Sequence, residues 1–225
     1  MQDKDLVIAV GVPCTDFWVP QFGLSIAALC SYFGMKRFPG YKTQRLHILS
    51  SQGSMLPQLR ENLVLSAMKN NCSHLLMLDS DMKFSRDVMH QFLAHDLDIV
   101  AANCVTKRIP AEPTAVGFSG ERIYSDEAKT GLEEVESVGT AVMMIRLSIM
   151  QRIPRPWFCQ EWQPDIQHFS GEDRYFIRKA RACGFKTFVD HDLSKKVGHM
   201  GLFEYTHDVV GEIIKESTDA ESKAA

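Results

Sequence analysis

The chain has 225 residues, of which 45% are hydrophobic and 24% are charged. This balance fits one domain with an ample core, since α/β folds of this length often remain single. The formal net charge of −3 excludes a global basic field that would hold nucleic acid, and local pairs such as Lys107-Arg108 are expected to be solvated surface.

Targeting and redox signals point to the cytoplasm. Residues 1–5 are polar and lack the basic and apolar regions of a signal peptide. No stretch approaches the length needed to cross a bilayer, so we expect no membrane span. The six cysteines are scattered with no C-x-x-C pair, which favours buried free thiols over a disulfide framework or a zinc site.

The first half of the chain alternates strand and helix patterns. Apolar runs predict buried strands at residues 6–12, 46–49, 75–78 and 98–103. Periodic segments with suitable ends predict helices at residues 22–33, 57–70 and 85–94. This β-α-β-α-β order predicts a parallel sheet covered on both faces by helices.

The second half is less regular. Residues 107–136 are rich in glycine, proline and charge and are expected to form irregular or hairpin structure. Strand patterns recur at residues 138–145 and 185–189, with a helix at residues 170–183 between them.

A polar, aromatic loop at residues 152–167 carries Trp157 and Trp162, which would either stack on a ligand or cover the core. No repeat or interdomain linker is visible, so residues 1–215 are expected to form one catalytic domain. The polar residues 216–225 are expected to form a flexible tail.

The most informative motif is an apolar run that ends at two carboxylates, Asp79 and Asp81, separated by Ser80. Ligands of open α/β sheets bind beyond the carboxyl ends of such strands. Two acids at that place repel each other and lose solvation, so a divalent cation that itself holds a phosphate is a natural partner. The alternative is that both residues only cap the following turn.

A second acidic group, Glu172-Asp173, opens the last predicted helix. Ser170 and Asp173 have the spacing of a capping box, and acids favour a helix N-terminus. The functional alternative is that one carboxylate faces the cleft as a general base toward an acceptor hydroxyl. Both interpretations can hold together, because one acid can cap while its neighbour reacts.

Two further side chains are candidates. His199 lies between glycines on flexible backbone, where a side chain can approach a ligand, although a surface or hydrogen-bonded role is the commoner one. Arg60 lies on the second predicted helix and would suit a diphosphate or a nucleotide base. A solvated helix arginine is the equal alternative.

Taken in order, these motifs resemble the GT-A fold (nucleotide-diphospho-sugar transferase) glycosyltransferases, most closely the compact bacterial or phage members of the family 2-like group. The matching segments span roughly residues 6–205. They are Val12-Pro13, Arg60-Glu61-Asn62, the strand ending in Asp79-Ser80-Asp81, residues 138–145, Gly171-Glu172-Asp173 and Gly198-His199-Met200-Gly201.

This resemblance implies an α/β fold with a mixed, mostly parallel sheet flanked by helices. It also implies a nucleotide-sugar donor and a Mn²⁺ or Mg²⁺ cofactor. Asp79, Asp81 and His199 would bind the metal. The residues implied in donor binding are Pro13, Thr15, Arg60, Asp79, Ser80 and Gly139, the last leaving room beside the donor sugar.

The resemblance further implies that Asp173 is the catalytic base and that Glu172 orients it. A hexosyl or pentosyl group would then move to an acceptor hydroxyl. If Asp173 lies opposite the leaving group the transfer inverts the anomeric carbon, whereas a retaining course stays open because the sequence does not reveal the angle of this carboxylate to the sugar. The acceptor is not identified: a saccharide, a lipid-linked or protein acceptor, and a modified base in phage DNA all stay open. If the chain is phage-encoded, the expected location is the host cytoplasm.

Two other functions remain as alternatives. One is a haloacid-dehalogenase-like phosphohydrolase with Asp79 as nucleophile and Asp81 as its acid/base partner, although Met82-Lys83 departs from that pattern. The other is a non-catalytic protein that binds nucleotide-sugars.

Overall fold

The computed structural model describes residues 4–165, 167–201 and 204–207. Its helices are α1 (Pro20–Met35), α2 (Leu56–Lys69), α3 (Val88–Ala94), α4 (Glu172–Ala182) and α5 (His191–Ser194). Its strands are β1 (Lys4–Cys14), β2 (Tyr41–Gln52), β3 (His74–Leu78), β4 (Met82–Lys83), β5 (Ile99–Ala101), β6 (Leu132–Glu134), β7 (Val142–Arg146), β8 (Glu161–Gln163), β9 (His168–Ser170), β10 (Phe188–Asp190), β11 (Gly198–Met200) and β12 (Glu204–Tyr205).

The central sheet has seven strands in the order β2-β1-β3-β7-β5-β10-β6. Strand β1 is parallel to β2 and β3, and β10 is parallel to β5. Strand β7 runs antiparallel between β3 and β5, and β6 is antiparallel to β10. Five of these seven strands therefore point the same way, which confirms the mixed, mostly parallel sheet.

The strands of the early β-α-β-α-β segment are parallel as predicted, and the sheet becomes mixed at β7. This strand enters the sheet from the carboxyl edge, because Val142 pairs with Leu78 at the end of β3. It must then run back toward the amino edge. Apolar periodicity carries no information on strand direction, so the sequence pattern could not predict this reversal.

The core lies on both faces of the sheet. All five residues of β3 are buried, and successive side chains point to opposite faces. Leu75 and Met77 pack in a cluster that includes residues of α2 and α4, whereas Leu76 and Leu78 pack with residues of α1 and α3. Burying each such side chain contributes about 1.5–3 kcal/mol, so the strand that ends at Asp79 is firmly anchored.

Some predicted boundaries shift. Strand β2 runs well beyond residues 46–49, because its polar, half-exposed positions gave no apolar signal. Helix α4 begins at Glu172 after the N-cap Gly171, which has no side-chain cap bond. The predicted capping box is therefore wrong: the Ser170 hydroxyl instead donates to the Glu161 carbonyl at 3.2 Å.

Other expectations concern the chain as a whole. All six cysteines are free thiols; Cys72 and Cys104 are buried and the other four are half-buried. Within the described ranges, no helix combines the length and apolar character that a membrane span requires. The predicted tail at residues 216–225 lies outside the described residues, and the single catalytic domain stays a prediction.

Candidate active site

The two aspartates lie in a tight turn at the carboxyl edge of the sheet. The Asp79 amide donates to the Ala141 carbonyl at 2.9 Å, and the Met82 amide donates to the Asp79 carbonyl at 3.1 Å. Both carboxylates bond to cationic or imidazole side chains, and no bond to the turn's own backbone is found in the described part of the chain. The structure therefore does not support a mere capping role.

A small antiparallel sheet, β12-β11-β4, brings His199 to the second aspartate. Strand β4 follows the turn directly, and its pairing with β11 places His199 opposite Met82. The Met200 amide also donates to the Asp81 carbonyl at 2.8 Å. As a result, His199 Nε2 lies 3.4 Å from Asp81 Oδ1, although 118 positions separate the two residues in sequence.

The hydrogen bond from His199 to the Val105 carbonyl determines which ring nitrogen carries the proton and which one can act as a ligand. Its Nδ1 lies 2.8 Å from the Val105 carbonyl oxygen, which can only accept, so Nδ1 carries a proton. In the neutral ring, the lone pair of Nε2 would then face a carboxylate oxygen of Asp81. That arrangement requires a proton or a metal ion on Nε2, and a carbonyl partner on the other nitrogen is typical of metal-binding histidines.

Asp81 has a second cationic neighbour, Lys107, whose Nζ contacts Asp81 Oδ2. Burial alone would raise the pKa of Asp81, but the hydrogen bonds and charges of His199 and Lys107 lower it to about 2. The carboxylate is thus ionised at any physiological pH. Lys107 is an exposed residue, as expected of solvated surface, and the tertiary path of the loop after β5 brings its amino group to the site.

The first aspartate is bound by a buried arginine. Arg60 is only 2% exposed, and its guanidinium donates to Asp79 Oδ1 at 3.0 Å and to Glu172 Oε1 at 3.1 Å. Burial alone would lower the pKa of Arg60, but the two carboxylates raise it, so the residue stays charged. One cation thereby ties the end of β3 to the start of α4.

This ion-pair bridge corrects two predictions. Arg60 does not reach into the cleft to touch a donor, because its guanidinium is enclosed between two carboxylates. Glu172 does not orient Asp173 by a direct bond, since its carboxylate points to Arg60. Arg60 instead holds Asp79 in place, and Glu172 is the second carboxylate bound to the same guanidinium.

Asp173 lies in the first turn of α4, close to this bridge. Its Oδ1 accepts from the Arg174 amide at 2.6 Å, and the carboxylate covers the Cα of Gly171, where a side chain would collide with it. Burial, and then the charge of Glu172, raise the pKa of Asp173. A carboxylate with a raised pKa is a better proton acceptor than an ordinary aspartate, as a general base requires.

A cavity of about 260 Å³ opens at the turn. It brings together most of the predicted donor and metal residues, with others from the ends of β1 and β2. Its lining consists of Pro13, Cys14, Thr15, Gly53, Ser54, Leu56, Leu59, Asp79, Ser80, Asp81 and His199.

Not every predicted site residue lines this cavity. Gly139 is buried, and a Cβ at this position would lie 3.2 Å from the Thr114 hydroxyl oxygen. Its lack of a side chain therefore accommodates Thr114, and the predicted space beside a donor sugar is not found there.

The two tryptophans of the aromatic loop differ. Trp157 is 4% exposed, and its indole donates to the Ile153 carbonyl at 2.9 Å, so it belongs to the core. Trp162 is 46% exposed and meets Phe169 edge-on, with ring centroids 5.1 Å apart. Only Trp162 is therefore free to meet a ligand.

Comparisons with known proteins bear on the fold. A family model described as Anp1 matches residues 40–125, less than half of the chain. No curated protein matches the sequence significantly. The crystal structure of A197 from STIV superposes with a TM-score of 0.57 at 16% identity, over 86% of this chain and 85% of that one.

Two structures of TarS from S. aureus are also similar. TarS 1–349 in complex with UDP-GlcNAc gives a TM-score of 0.47 at 16% identity, over 83% of this chain and 56% of that one. The same protein with UDP gives 0.44 at 15% identity, over 83% and 58%. The chain therefore spans a little over half of the TarS structures. Its sheet and its likeness to A197 give it the GT-A glycosyltransferase fold that the sequence motifs resemble.

Proposed function

We propose that the protein is a metal-dependent glycosyltransferase that moves a sugar from a nucleotide-sugar donor to an acceptor hydroxyl. The observation that carries the proposal is the opposed pair of His199 Nε2 and Asp81 Oδ1 in the cavity at the carboxyl edge of β3. This is the edge where open α/β sheets bind their ligands.

The residues present fit a metal ion with two protein ligands. Within the described residues, no cluster of three or more His, Cys, Asp or Glu side chains is arranged around a common point. Asp81 and His199 would therefore hold the ion, with diphosphate oxygens and water completing its coordination. A site of one carboxylate and one imidazole suits Mn²⁺ better than Mg²⁺, which prefers oxygen ligands throughout.

When bound, the ion supplies positive charge next to the leaving diphosphate. The protein supplies the rest of the donor site. Lys107 stands beside Asp81 and can donate to a diphosphate oxygen, and Pro13 and Thr15 line the same cavity. Asp79 and Ser80 would contact the ribose, with Asp79 held in one position by Arg60.

Asp173 would accept the proton in the transfer step. The acceptor oxygen forms a bond to the anomeric carbon while the bond from that carbon to the diphosphate oxygen breaks. The electron pair leaves with the diphosphate, and the hydroxyl proton passes to the Asp173 carboxylate. If the acceptor approaches from the face opposite the diphosphate, the configuration at the anomeric carbon inverts.

The alternatives fit this geometry less well. A phosphohydrolase would need Asp79 as a free nucleophile, but its Oδ1 accepts from Arg60 at 3.0 Å. A non-catalytic binding protein would need neither Asp173 nor its raised pKa. A non-catalytic protein would bind a nucleotide-sugar without turning it over, so an activity assay separates this alternative from the proposal.

A two-stage experiment tests the proposal. Thermal shifts with UDP-, GDP- and CMP-type ligands, each with and without Mn²⁺, should identify the nucleotide, because a ligand stabilises only the state that binds it. Release of the nucleotide (UDP, GDP or CMP) from the matching sugar donor should then be lost in Asp81→Ala and in Asp173→Asn. Asp5→Asn, at the opposite end of β1, is the matched control. Full activity in both site variants would refute the proposal.

A further inference from the structure

A second and larger cleft borders the proposed base. It has a volume of about 730 Å³ and lies along α4 and the β8–β9 hairpin. Ser170, Gly171 and Arg174 are among its lining residues, and they flank Asp173 on both sides in sequence. Asp173 itself is not part of the lining, but the cleft runs along its chain neighbours and shares no lining residue with the cavity of Asp81.

Three arginines of α4 line this cleft: Arg174, Arg178 and Arg181. Their spacing of four and three residues puts them on one face of the helix. At 1.5 Å per residue they follow one another by about 6 Å and about 4.5 Å along the axis. Glu136 is the one carboxylate in the lining, so three positive charges meet one negative charge in a chain whose net charge is −3.

The charges of two of these arginines are not neutralised by a carboxylate. Within the described residues, the Arg174 guanidinium makes no hydrogen bond or ion pair. Arg181 donates to the Glu136 carbonyl at 3.4 Å and lies over the Phe118 ring at 4.5 Å. Arg178 does pair with Glu161 at 2.6 Å, but both side chains are largely exposed, so this pair contributes little.

Aromatic rings accompany the arginines. Phe169 and Tyr175 also line the cleft, and Phe169 is 54% exposed. An exposed ring beside guanidinium groups can pack against the apolar face of a sugar while the guanidiniums bind an anion bidentately. Guanidinium groups are the preferred protein ligands of phosphate.

We propose that this cleft is the acceptor subsite and that the acceptor is a phosphorylated saccharide, with its phosphate held by Arg174 and Arg181 and its ring against Phe169. This inference rests on the proposed function. A nucleic acid fits less well, because proteins that track its backbone commonly contact about 6–10 phosphates. Three arginines on one short helix in an acidic chain cannot supply that number.

Calorimetric titration without Mn²⁺ and without donor tests the subsite. The probes are glucose 6-phosphate, glucose, inorganic phosphate and a short oligothymidylate, at an ionic strength of about 50 mM so that charges are weakly screened. Glucose 6-phosphate should bind at least about tenfold more tightly than glucose or inorganic phosphate. Arg174→Gln and Arg181→Gln should each weaken it about fivefold or more. Arg45→Gln, an exposed arginine on β2, should leave it unchanged.

Three results would overturn the inference. Equal affinity for glucose and glucose 6-phosphate would show that no phosphate is recognised. Binding that is unaffected by both cleft variants would place the probe elsewhere. Tighter binding of the oligothymidylate would assign the cleft to nucleic acid. Donor hydrolysis by the wild-type protein is measured separately with Mn²⁺, so failure of the proposed function and failure of the subsite give different outcomes.

Discussion

The two edges of the central sheet each have a cavity and histidines, yet their chemistry differs. At the carboxyl edge, a cavity of about 260 Å³ holds His199 against the ionised Asp81. At the amino edge, a cavity of about 420 Å³ is lined by His74 and His90 together with mostly apolar side chains and the charged Arg37 and Asp96. Cavity size therefore does not distinguish the two edges; the direct contact between a carboxylate and an imidazole at the carboxyl edge does.

The amino-edge histidines are held in the neutral form. Burial, and then the charge of Arg146, lower the pKa of His74 to about 4. Burial also lowers the pKa of His90, whose ring stacks on Phe38 with centroids 4.1 Å apart. These rings serve packing. At the carboxyl edge the imidazole of His199 instead meets a carboxylate directly, which is the arrangement that the proposed metal and donor site requires.

The largest expected effect comes from removing the cation that organises the carboxyl edge. Arg60→Met leaves Asp79 and Glu172 with no positive partner in a buried site, so the free energy of unfolding should fall by about 3–5 kcal/mol. Urea denaturation measures this loss. The exposed Arg45→Met should change stability by less than about 0.5 kcal/mol.

A double variant isolates the ion pair from packing effects. Adding Glu172→Met to Arg60→Met removes one of the two unpaired carboxylates. The loss should therefore be smaller than the sum of the two single losses. Additive losses would mean that Arg60 stabilises the fold only through its packing.

The amino edge should produce a stability change with pH. The folded pKa of His74, about 4, lies below the ordinary 6.5, so the unfolded chain binds more protons between these values. The stabilising contribution is complete above pH 6.5 and is lost as the pH falls to 4. Its size is about 3 kcal/mol.

Denaturation at several pH values measures this contribution. His74→Gln should show a flatter dependence between pH 6.5 and 4 than the wild-type protein. His47→Gln, on strand β2, is the control and should keep the wild-type slope. An unchanged slope in His74→Gln would show that another group is responsible.

The corresponding change at the carboxyl edge should affect activity. His199→Ala removes one of two proposed metal ligands, so donor turnover should fall by about 100-fold at limiting Mn²⁺. Excess Mn²⁺ should recover part of the loss, because the remaining ligand still binds weakly. His90→Ala, at the opposite edge, should leave turnover unchanged. A loss that Mn²⁺ does not relieve would argue against the ligand role.

Local sequence patterns predicted the fold well, together with the residues that follow strand ends. The apolar run of β3 and the turn at Asp79 and Asp81 are encoded within a few neighbouring positions, so they could be read directly. The approach of His199 to Asp81 depends on the β4–β11 pairing, which the order of motifs suggested but periodicity could not show.

The sequence patterns missed contacts between charged side chains that are distant in sequence. Arg60 and Glu172 are 112 positions apart, and Lys107 reaches Asp81 from an irregular loop 26 positions away. No helix or strand pattern encodes such pairs, because burial of a charge depends on which elements meet in the folded chain. Gly139 was predicted to leave space beside a donor sugar, but it makes room for Thr114. That contact also joins residues distant in sequence, so no local pattern encodes it.

The smallest predicted effect concerns the position of the base. Gly171→Ala places a methyl group against the Asp173 carboxylate, which must then turn away. The carboxylate is the end of a movable side chain, so stability should change by less than about 1 kcal/mol. A displaced base should nevertheless reduce turnover by about tenfold, with the Mn²⁺-dependent donor thermal shift unaffected.

Gly23→Ala, where no atom lies within 4 Å of the new methyl group, is the matched control. Equal turnover in both alanine variants would show that the transfer step does not depend on where this carboxylate points, and the proton acceptor would have to be sought elsewhere.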